Sequence, residues 1–388
     1  MISKQVLDLE PQFIAWRREL HAVPELSFQE VQTTEFLLKH LRSIPGLTIE
    51  QPTKTGVVAV LRGAHPGRTI ALRADIDALP IQEETDLPFA SKTPGVMHAC
   101  GHDGHAAMQL AAAQILAGER EQLHGEVRFL FQHAEELPPG GAVEMVKAGV
   151  MEGVSEVYGM HLSSNFPTGT FGVRAGALTS ATDRFDIEVI GKGGHSAFPE
   201  TCVDPVVTAA QIITALQTIV SRRVRAVEPA VAVCMVQGGQ AYNIIPGEVT
   251  LTGSTRTFDR ETRRTLPQTM ENIVRGICEA AGASYTFRFS QGYASVINDA
   301  ALTQAARQTI QTTFGEQAVL EIEPLMPGED FSAFQENCPG FFVELGARNE
   351  ANGCTFPHHN SRYLMDEAAL KYGVEYLCQL VRSRLGEA

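Results

Sequence analysis

The sequence predicts an α/β protein: a mostly parallel sheet with helices on both faces, interrupted by an inserted α+β domain. Three observations lead to this prediction. Apolar strands alternate with helical segments over roughly the first 180 residues, which is typical of a parallel sheet. The pattern changes near Ala181 and returns after "INDAA". The chain has 388 residues, too many for one compact core, so two domains are expected.

The first stretch opens with an amphipathic helical pattern over residues 11–43, broken at "HAVPELS". Two segments, "VVAVLRG" and "TIALRADID", then alternate or run apolar like buried strands. An Ala-rich helix over Leu110–Leu116 ends at Gly118. The remaining elements are the strand "EVRFLFQ", the glycine-bounded helix "GGAVEMVKAG" and the short strand "VYGMHL".

The inserted segment has a different order of elements. The strand "DRFDIEVIGKGGHSAF" enters a Gly-rich turn, and a long helix runs from Pro205 to about Val220. Two strands joined by a turn, a helix around 260–281 and the strand "SYTFRFS" follow. This order, β-α-β-β-α-β, indicates a split βαβ sandwich.

Composition and charge exclude several classes of protein. The formal net charge of −14 is unfavourable for binding nucleic acid or an anionic membrane. No run approaches the ~20 apolar residues of a membrane span, and "MISKQVLDLEPQF" lacks the apolar stretch of a signal peptide. The seven cysteines are scattered and odd in number, unlike a disulfide framework. We therefore expect a cytoplasmic protein that binds neither nucleic acid nor membrane.

Reactive side chains follow the predicted strands. In open α/β sheets, function gathers outside the carboxyl ends of the strands. The polar residues expected there are Asp75 and Asp77; Cys100, His102 and His105; Glu135 and Glu136; His161; and His358 and His359. Separate segments thus bring cysteine, histidine and glutamate to one edge of the sheet, as a metal centre requires.

The spacing within two of these segments also favours a metal centre. Cys100 and His102 are two residues apart, so an extended turn at Gly101 can direct both side chains the same way. Glu135 and Glu136 are adjacent and cannot easily both face one ion. One of them can bind metal while the other acts as a base, taking a proton from water and returning it to a leaving amine.

Each signal has a structural explanation when it is taken alone. A Glu-Glu pair usually lies on a solvated surface, and His161 in an apolar strand is more often a core histidine. A metal site is favoured because all the signals fall at strand ends together. The alternative is a cysteine amidase with Cys100 as nucleophile and His102 or His161 as base. It leaves the paired glutamates and "HHN" without a role.

Eight motifs occur in an order that resembles a known family. They are "RADIDALP", "MHACGHDGH", "QHAEELPPGGA", "GMHL", "GKGGHSAFP", "NIIPGEVTLTGSTRTF", "GEDFSAF" and "HHNSRY". Together they resemble the amidohydrolase branch of the dinuclear metallopeptidases, which is related to aminoacylases and zinc carboxypeptidases. That branch includes hippurate hydrolases, N-acyl-amino-acid amidohydrolases, N-acetyl-diaminopimelate deacetylases and plant auxin-conjugate hydrolases. The resemblance covers nearly the whole chain.

The resemblance implies a catalytic domain over residues 1–180 and 293–388, with a lid or dimerisation domain over 181–292. It also implies two divalent ions, with the cysteine thiolate as the bridging ligand. The implied ligands are Cys100, His102, Glu136, His161 and His359. Of the two final histidines, His359 matches the family ligand because it directly precedes Asn360. Such a ligand set accepts Zn, Mn, Co or Ni.

The resemblance also assigns catalytic roles. Glu135 corresponds to the general base and acid, and Asp77 to the carboxylate that orients a ligating histidine. Asp75 occupies the place where related peptidases carry a ligand histidine. In relatives, the histidine matching His195 reaches the active site of the partner subunit and polarises the scissile carbonyl. Asn243 is a further substrate-binding candidate.

The implied reaction is hydrolysis of an N-acyl amino acid by a homodimeric enzyme, releasing a carboxylic acid and a free amino acid. Arg256 could hold the substrate carboxylate through a bidentate pair. The alternatives keep the chemistry but change the substrate to a dipeptide or N-acetyl-diaminopimelate. The sequence departs from the family at Glu200, where relatives often carry histidine, and at Ser361, where they commonly carry proline. Both positions bear on substrate identity.

Overall fold

The computed structural model describes residues 1–223 and 229–386, and contacts divide the chain into two units. The first unit comprises Met1–Leu178, Val296–Glu323 and Asp330–Ala388. The second comprises Thr179–Ser295 and Pro324–Glu329. The roles of catalytic domain and lid that the resemblance implies for these parts of the chain stay a prediction.

Helices and strands alternate through most of the described chain. The α-helices are α1 (Lys4–Ala22), α2 (Val31–Arg42), α3 (His102–Ala117), α4 (Gly141–Lys147), α5 (Pro205–Thr218), α6 (Arg260–Ala281), α7 (Ala300–Phe314) and α8 (Ala369–Leu385). The strands are β1 (Leu47–Glu50), β2 (Val57–Arg62), β3 (His65–Asp75), β4 (His124–Gln132), β5 (Val154–Pro167), β6 (Phe171–Val173), β7 (Gly176–Ala177), β8 (Ala181–Ile190), β9 (Gly194–His195), β10 (Ala230–Gln237), β11 (Ile244–Ile245), β12 (Glu248–Thr257), β13 (Ser284–Gln291), β14 (Ile297–Asn298), β15 (Val319–Glu321) and β16 (Gly340–Arg348).

The first unit is built on an eight-stranded sheet in the order β1-β2-β4-β3-β5-β16-β6-β15. The pairs β4–β3, β3–β5, β5–β16 and β6–β15 are parallel, and the pairs toward the β1 edge are antiparallel. The central strands are apolar because both faces of the sheet are covered. The predicted fold class, a mostly parallel sheet with an inserted α+β segment, is confirmed.

Helix α3 is the most deeply buried helix near the site. Every residue from His102 to Ala117 is buried except Gln114. Helices α1 and α8 and strand β3 pack against it, and a side chain in place of Gly104 would collide with Leu162 of β5. The prediction of a helix over Leu110–Leu116 was therefore too short: the helix begins at His102, directly after Gly101 in the left-handed conformation (φ 94°).

The second unit contains a four-stranded antiparallel sheet in the order β10-β12-β8-β13. Burial alternates along β8 and β12, so one face of the sheet packs against helices α5 and α6. Asp204 caps α5 and Asp259 caps α6 through hydrogen bonds to backbone amides of the first turn. The predicted β-α-β-β-α-β order is confirmed, with the short strands β9 and β11 added.

Two other predicted elements extend further than expected. The amphipathic pattern over residues 11–43 forms α1 and α2, and α1 already begins at Lys4. The short strand "VYGMHL" is the centre of the much longer β5. No helix in the described ranges has the length and apolar character needed to cross a membrane.

Candidate metal centre

The sheet brings the predicted site residues of the first unit to one edge. Strands β4, β3, β5 and β16 are neighbours, and each is followed by or contains part of the site. Asp75 ends β3, the turn with Glu135 and Glu136 follows β4, and His161 lies in β5. His359 lies in the loop after β16. The parallel pairing explains why residues far apart in sequence converge.

Several overlapping groups of ligand atoms lie within 4.8 Å of one another. These groups are Cys100 with Glu136 and His359, Cys100 with His161 and His358, His102 with Glu135 and Glu136, and His102 with His105 and His161. All five residues expected as ligands are therefore brought together. Which of them bind metal stays a prediction.

His102 is held by Asp77, which leaves one ring nitrogen directed at the site. Its Nδ1–H donates to Asp77 Oδ1 at 3.2 Å. The other oxygen of Asp77 accepts from Ser27 Oγ at 2.7 Å and from the Glu136 backbone amide at 3.0 Å. Asp77 thus fixes both the ring of His102 and the backbone of Glu136, which suits the orienting role predicted for it.

Two buried polar atoms face each other without a hydrogen bond. Among the described residues, His102 Nε2 has no hydrogen-bond partner, and Glu136 Oε1 lies 3.9 Å from it and 3.2 Å from His359 Nε2. Burial lowers the pKa of His102, but Asp75, Asp77 and Glu136 outweigh it and raise that pKa to about 10. The carboxylates therefore hold a proton on the ring. A divalent cation in its place would satisfy His102 Nε2 and be shared with the Glu136 carboxylate, so the residues fit a metal.

Cys100 and His161 form the second half of the centre. Cys100 Sγ lies 3.4 Å from His161 Nε2, while His161 Nδ1–H donates to the Leu162 carbonyl at 2.7 Å. Burial, followed by the neighbouring His105 and His358, lowers the pKa of His161 well below its usual range. A neutral imidazole therefore presents a lone pair to the site, as a metal ligand must.

The surroundings of Cys100 do not activate it as a nucleophile. Burial raises the pKa of the thiol well above its ordinary value, and Glu136 and Glu135 raise it further. A catalytic cysteine has a lowered pKa, whereas burial and the two glutamates raise that of Cys100 even though α3 begins two residues later, at His102. This environment weighs against the cysteine-amidase alternative and suits a thiol that becomes a thiolate only with a cation.

The geometry distinguishes the two final histidines. His358 Nε2 accepts from the Ser164 amide at 3.2 Å, and burial lowers its pKa to about 3. His359 has a left-handed backbone (φ 62°), its amide donates to Ala99 O, and its Nε2 is 3.2 Å from Glu136 Oε1. His359 Nε2 thus faces the Glu136 carboxylate, whereas His358 Nε2 is taken by a backbone amide, which favours His359 as the ligand.

His105 is fully engaged within the protein. Its Nδ1–H donates to Asp75 Oδ1 at 2.5 Å, and its Nε2 accepts from the Leu162 amide at 2.8 Å. Both ring nitrogens are used, so His105 holds Asp75 and β5 in place.

Glu135 is also buried, with 8% of its surface exposed, and its carboxylate lies in the group with His102 and Glu136.

Sequence reasoning missed a buried ion network behind the site. Arg73 donates to Asp75 Oδ2 at 2.6 Å and to Asp330 Oδ1 at 2.9 Å, and it also donates to Gln132 Oε1 at 2.7 Å. An arginine inside the apolar strand "TIALRAD" was the signal that could have revealed it, since a buried charge requires a partner. Asp75 and Asp330 are its partners.

The candidate residues of the second unit lie on separate elements. His195 on β9 pairs with Ile244 on β11, so it lies beside Asn243, and the Ser196 amide donates to Asn243 O at 3.1 Å. His195 is exposed, and its Nδ1 accepts from the Ala197 amide at 3.1 Å. Arg256 lies half-buried on β12. Their roles stay predictions.

Comparison with known proteins places this geometry in a family. The family model described as Peptidase family M20/M25/M40 matches residues 71–383. An N-acyl-L-amino acid amidohydrolase of Geobacillus stearothermophilus is 55% identical over 298 residues, 76% of this chain and 80% of that protein. An N-acetylcysteine deacetylase of Bacillus subtilis (strain 168) is 43% identical over 374 residues, 95% of each chain.

A solved structure agrees with these relatives. A dinuclear metal binding peptidase of the M20 family from Bacillus subtilis is 38% identical, has a TM-score of 0.87, and covers 97% of this chain and 98% of its own. The resemblance drawn from the eight motifs is confirmed. The chain belongs to peptidase family M20/M25/M40.

Proposed function

We propose that this protein hydrolyses the amide bond of N-acyl amino acids, such as acetyl or benzoyl derivatives, in a metal-dependent reaction. The products are a carboxylic acid and a free amino acid. The observation that carries the proposal is the buried His102 Nε2, which has no hydrogen-bond partner among the described residues and faces the Glu136 carboxylate beside the buried Glu135. The relatives named as an N-acyl-L-amino acid amidohydrolase and an N-acetylcysteine deacetylase support the substrate class.

The cofactor in this proposal is a pair of divalent ions, with Mn, Zn, Co and Ni all compatible with the donors. The residues that would hold them are Cys100, His102, Glu136, His161 and His359. Bound here, the ions supply Lewis acidity that lowers the pKa of water toward ~7 and polarises the acyl carbonyl. Cys100 belongs to one of these groups with Glu136 and His359 and to another with His161 and His358, so its thiolate would be a ligand in either group.

Glu135 moves the proton in the proposed reaction. Its carboxylate takes a proton from the attacking water and returns it to the departing amino-acid nitrogen. Its buried position beside His102 and Glu136 supports this role, because partial exclusion of water strengthens proton transfer at a fixed site. Asp77 acts through His102 and is a positioning residue.

The second unit supplies substrate-binding groups in this proposal. His195, from the partner subunit, polarises the scissile carbonyl. Asn243 contacts the substrate, and Arg256 pairs with its free carboxylate. The exposure of His195 and the neighbouring position of Asn243 support a shared binding role for these two.

We propose a homodimer in the cytoplasm. The second unit exposes large apolar side chains, and β10 is an edge strand of its sheet. Among the described residues of this unit, the exposed large apolar side chains are Phe198, Val206, Val207, Met235, Val236, Tyr242, Ile244 and Met326. Free thiols at all seven cysteines support a reducing compartment. A monomeric mass by sedimentation, or recovery in a secreted fraction, would contradict these two proposals.

The alternative functions use the same chemistry on a different substrate. A dipeptidase or an N-acetyl-diaminopimelate deacetylase would use the same residues. A panel containing N-acetylcysteine, other N-acetyl amino acids, hippurate, N-acetyl-diaminopimelate and dipeptides separates them by kcat/KM. We expect the highest value for an N-acyl amino acid. A higher value for a dipeptide or for N-acetyl-diaminopimelate would replace the proposed substrate class and keep the mechanism.

A further inference from the structure

The loop between α1 and α2 packs against the strand ends that carry the site. Leu26 forms a parallel bridge with Ala78, whose amide donates to Glu25 O at 2.8 Å. Ser27 Oγ donates to Asp77 at 2.7 Å. The loop that ends at Glu30 therefore braces the end of β3, although none of its residues belongs to the candidate ligand set.

Strained backbone is concentrated around the same place. In the described ranges, the non-glycine residues with positive φ are Phe28 (66°), Ala134 (50°) and His359 (62°). Such conformations cost free energy and persist only where surrounding contacts hold them. Ala134 directly precedes Glu135, so its conformation sets the direction in which Glu135 and Glu136 leave the end of β4.

One buried carboxylate holds two of these three strained positions. Glu30 has no exposed surface, and its Oε1 accepts from the Phe28 amide at 3.0 Å and from the Ala134 amide at 2.8 Å. Its Oε2 accepts from Thr55 Oγ1 at 2.9 Å. A single oxygen therefore joins the loop before α2 to the turn that carries the two glutamates.

We infer that Glu30 is a positioning residue for the proposed hydrolysis. Its Oε1 fixes the Ala134 turn so that Glu135 and Glu136 face His102 in a productive arrangement. The inference rests on the proposed function, in which Glu135 moves the proton and Glu136 binds metal. The position of Oε1, rather than the charge of the carboxylate, holds the turn, because both groups that donate to this oxygen are neutral backbone amides.

Two conservative substitutions separate the effect of the side-chain length of Glu30 from the effect of its charge. Glu30→Gln keeps an oxygen at the same distance and removes the charge, whereas Glu30→Asp keeps the charge and withdraws the oxygen. We expect E30D to lower kcat and the affinity for Mn²⁺ by about 10–100-fold, with KM nearly unchanged, as for other groups that support metal ligands. E30Q should stay close to the wild type in all three quantities.

The matched control is Glu25→Asp in the same loop. Glu25 accepts from the Gln32 and Thr33 amides at the start of α2 and makes no contact with the Ala134 turn in the described structure. Shortening it should lower stability without changing kcat or Mn²⁺ affinity. Hydrogen exchange of the peptide containing Ala134 gives a readout that is independent of turnover, and it should quicken in E30D but not in E25D.

A second substitution tests the strain directly. Glycine adopts positive φ without penalty, so Ala134→Gly removes part of the need for the Glu30 contact. The double variant E30D/A134G should therefore recover part of the kcat and Mn²⁺ affinity lost in E30D. This combination also keeps the test decisive if E30D is poorly folded, because rescue by A134G reports on the turn.

The outcomes distinguish the inference from the proposed function. The inference would be overturned if E30D kept the kcat, Mn²⁺ affinity and hydrogen exchange of the wild type. Equal losses of kcat and Mn²⁺ affinity in E30Q and E30D would overturn it as well. If the wild type hydrolyses no N-acyl amino acid, the proposed function fails instead. Mn²⁺ affinity and hydrogen exchange in E30D still decide the role of Glu30 in that case.

Discussion

Glu135 and Glu136 are adjacent, yet their surroundings fit them for different tasks. The amide of Glu136 donates to Asp77, and its Oε1 is 3.2 Å from His359 Nε2 and 3.9 Å from His102 Nε2. The bond to Asp77 fixes the backbone of Glu136, so its carboxylate points toward His102 and His359. Glu135 is buried beside them and is the base in the proposed function.

Glu135→Gln tests this division of labour. We expect kcat to fall by about 10²–10⁴-fold because the amide cannot accept a proton from water, while the metal content stays unchanged. The matched variant Glu136→Gln should lose metal as well as activity. Steady-state kinetics with metal analysis of the same samples checks both. Loss of metal in E135Q would contradict the assignment, and so would nearly full activity of E135Q.

The sequence was sufficient to predict which reactive side chains converge at the strand ends but not the residues behind them. Strand ends and motif order predicted Cys100, His102, Glu136 and His161, which the structure brings together. The motif resemblance favours His359 over His358, whereas the residue types alone do not distinguish them, because the contact of His358 with Ser164 involves another strand. Glu30 was missed since its partner Ala134 is 104 residues away.

At the scale of elements, Asp330 ties three of them together behind the site. Its carboxylate accepts from Arg73 in β3, from Gln132 at the end of β4 and from the Ala142 amide at the start of α4. Gly140, with φ 83°, passes so close to Asp330 that a side chain there would collide with it. The turn carrying the two glutamates is thus fixed from both sides.

Asp330→Ala should destabilise the protein by about 3–5 kcal/mol, because Arg73 loses a buried counter-charge. The matched control is Glu321→Ala, which removes the mostly exposed partner of Arg307 and should change the free energy of unfolding by less than about 1 kcal/mol. Urea unfolding of the two variants beside the wild type measures the difference. Equal effects would show that the Asp330 network adds no special stability.

Element boundaries were predicted less well than element types. The sequence predicts an extended turn at Gly101 that carries Cys100 and His102 before the helix begins. In the structure that segment is already helical from His102, which places His102 and His105 one turn apart on the same side. Burial of the whole helix, which no local pattern reveals, makes this possible.

At the scale of the whole molecule, the alternation of strands and helices was enough to predict the fold class and the insertion. The assignment of Pro324–Glu329 to the second unit was not foreseen. It depends on backbone pairing between distant residues, since Thr179 forms a bridge with Leu325 and the Ser180 amide donates to Leu325 O at 3.0 Å. Such pairing leaves no periodic signal in the sequence.

Metal binding should release protons. In the metal-free protein the pKa of His102 is raised to about 10 and that of Cys100 well above its ordinary value, so both carry a proton near neutral pH. Both must lose it to act as ligands, and the apparent metal affinity should therefore rise with pH. Calorimetry in buffers of different ionisation enthalpy measures the protons released. An affinity independent of pH would contradict this account.

The central claim is that hydrolysis depends on metal held by the site at the strand ends. The most direct test is to remove metal with a chelator and add back Mn, Zn, Co or Ni singly, with N-acetylcysteine and hippurate as substrates. We predict that activity is lost on chelation and returns as two ions bind per chain. Activity that persists without metal and is abolished by alkylation of Cys100 would contradict the account and make that cysteine the nucleophile.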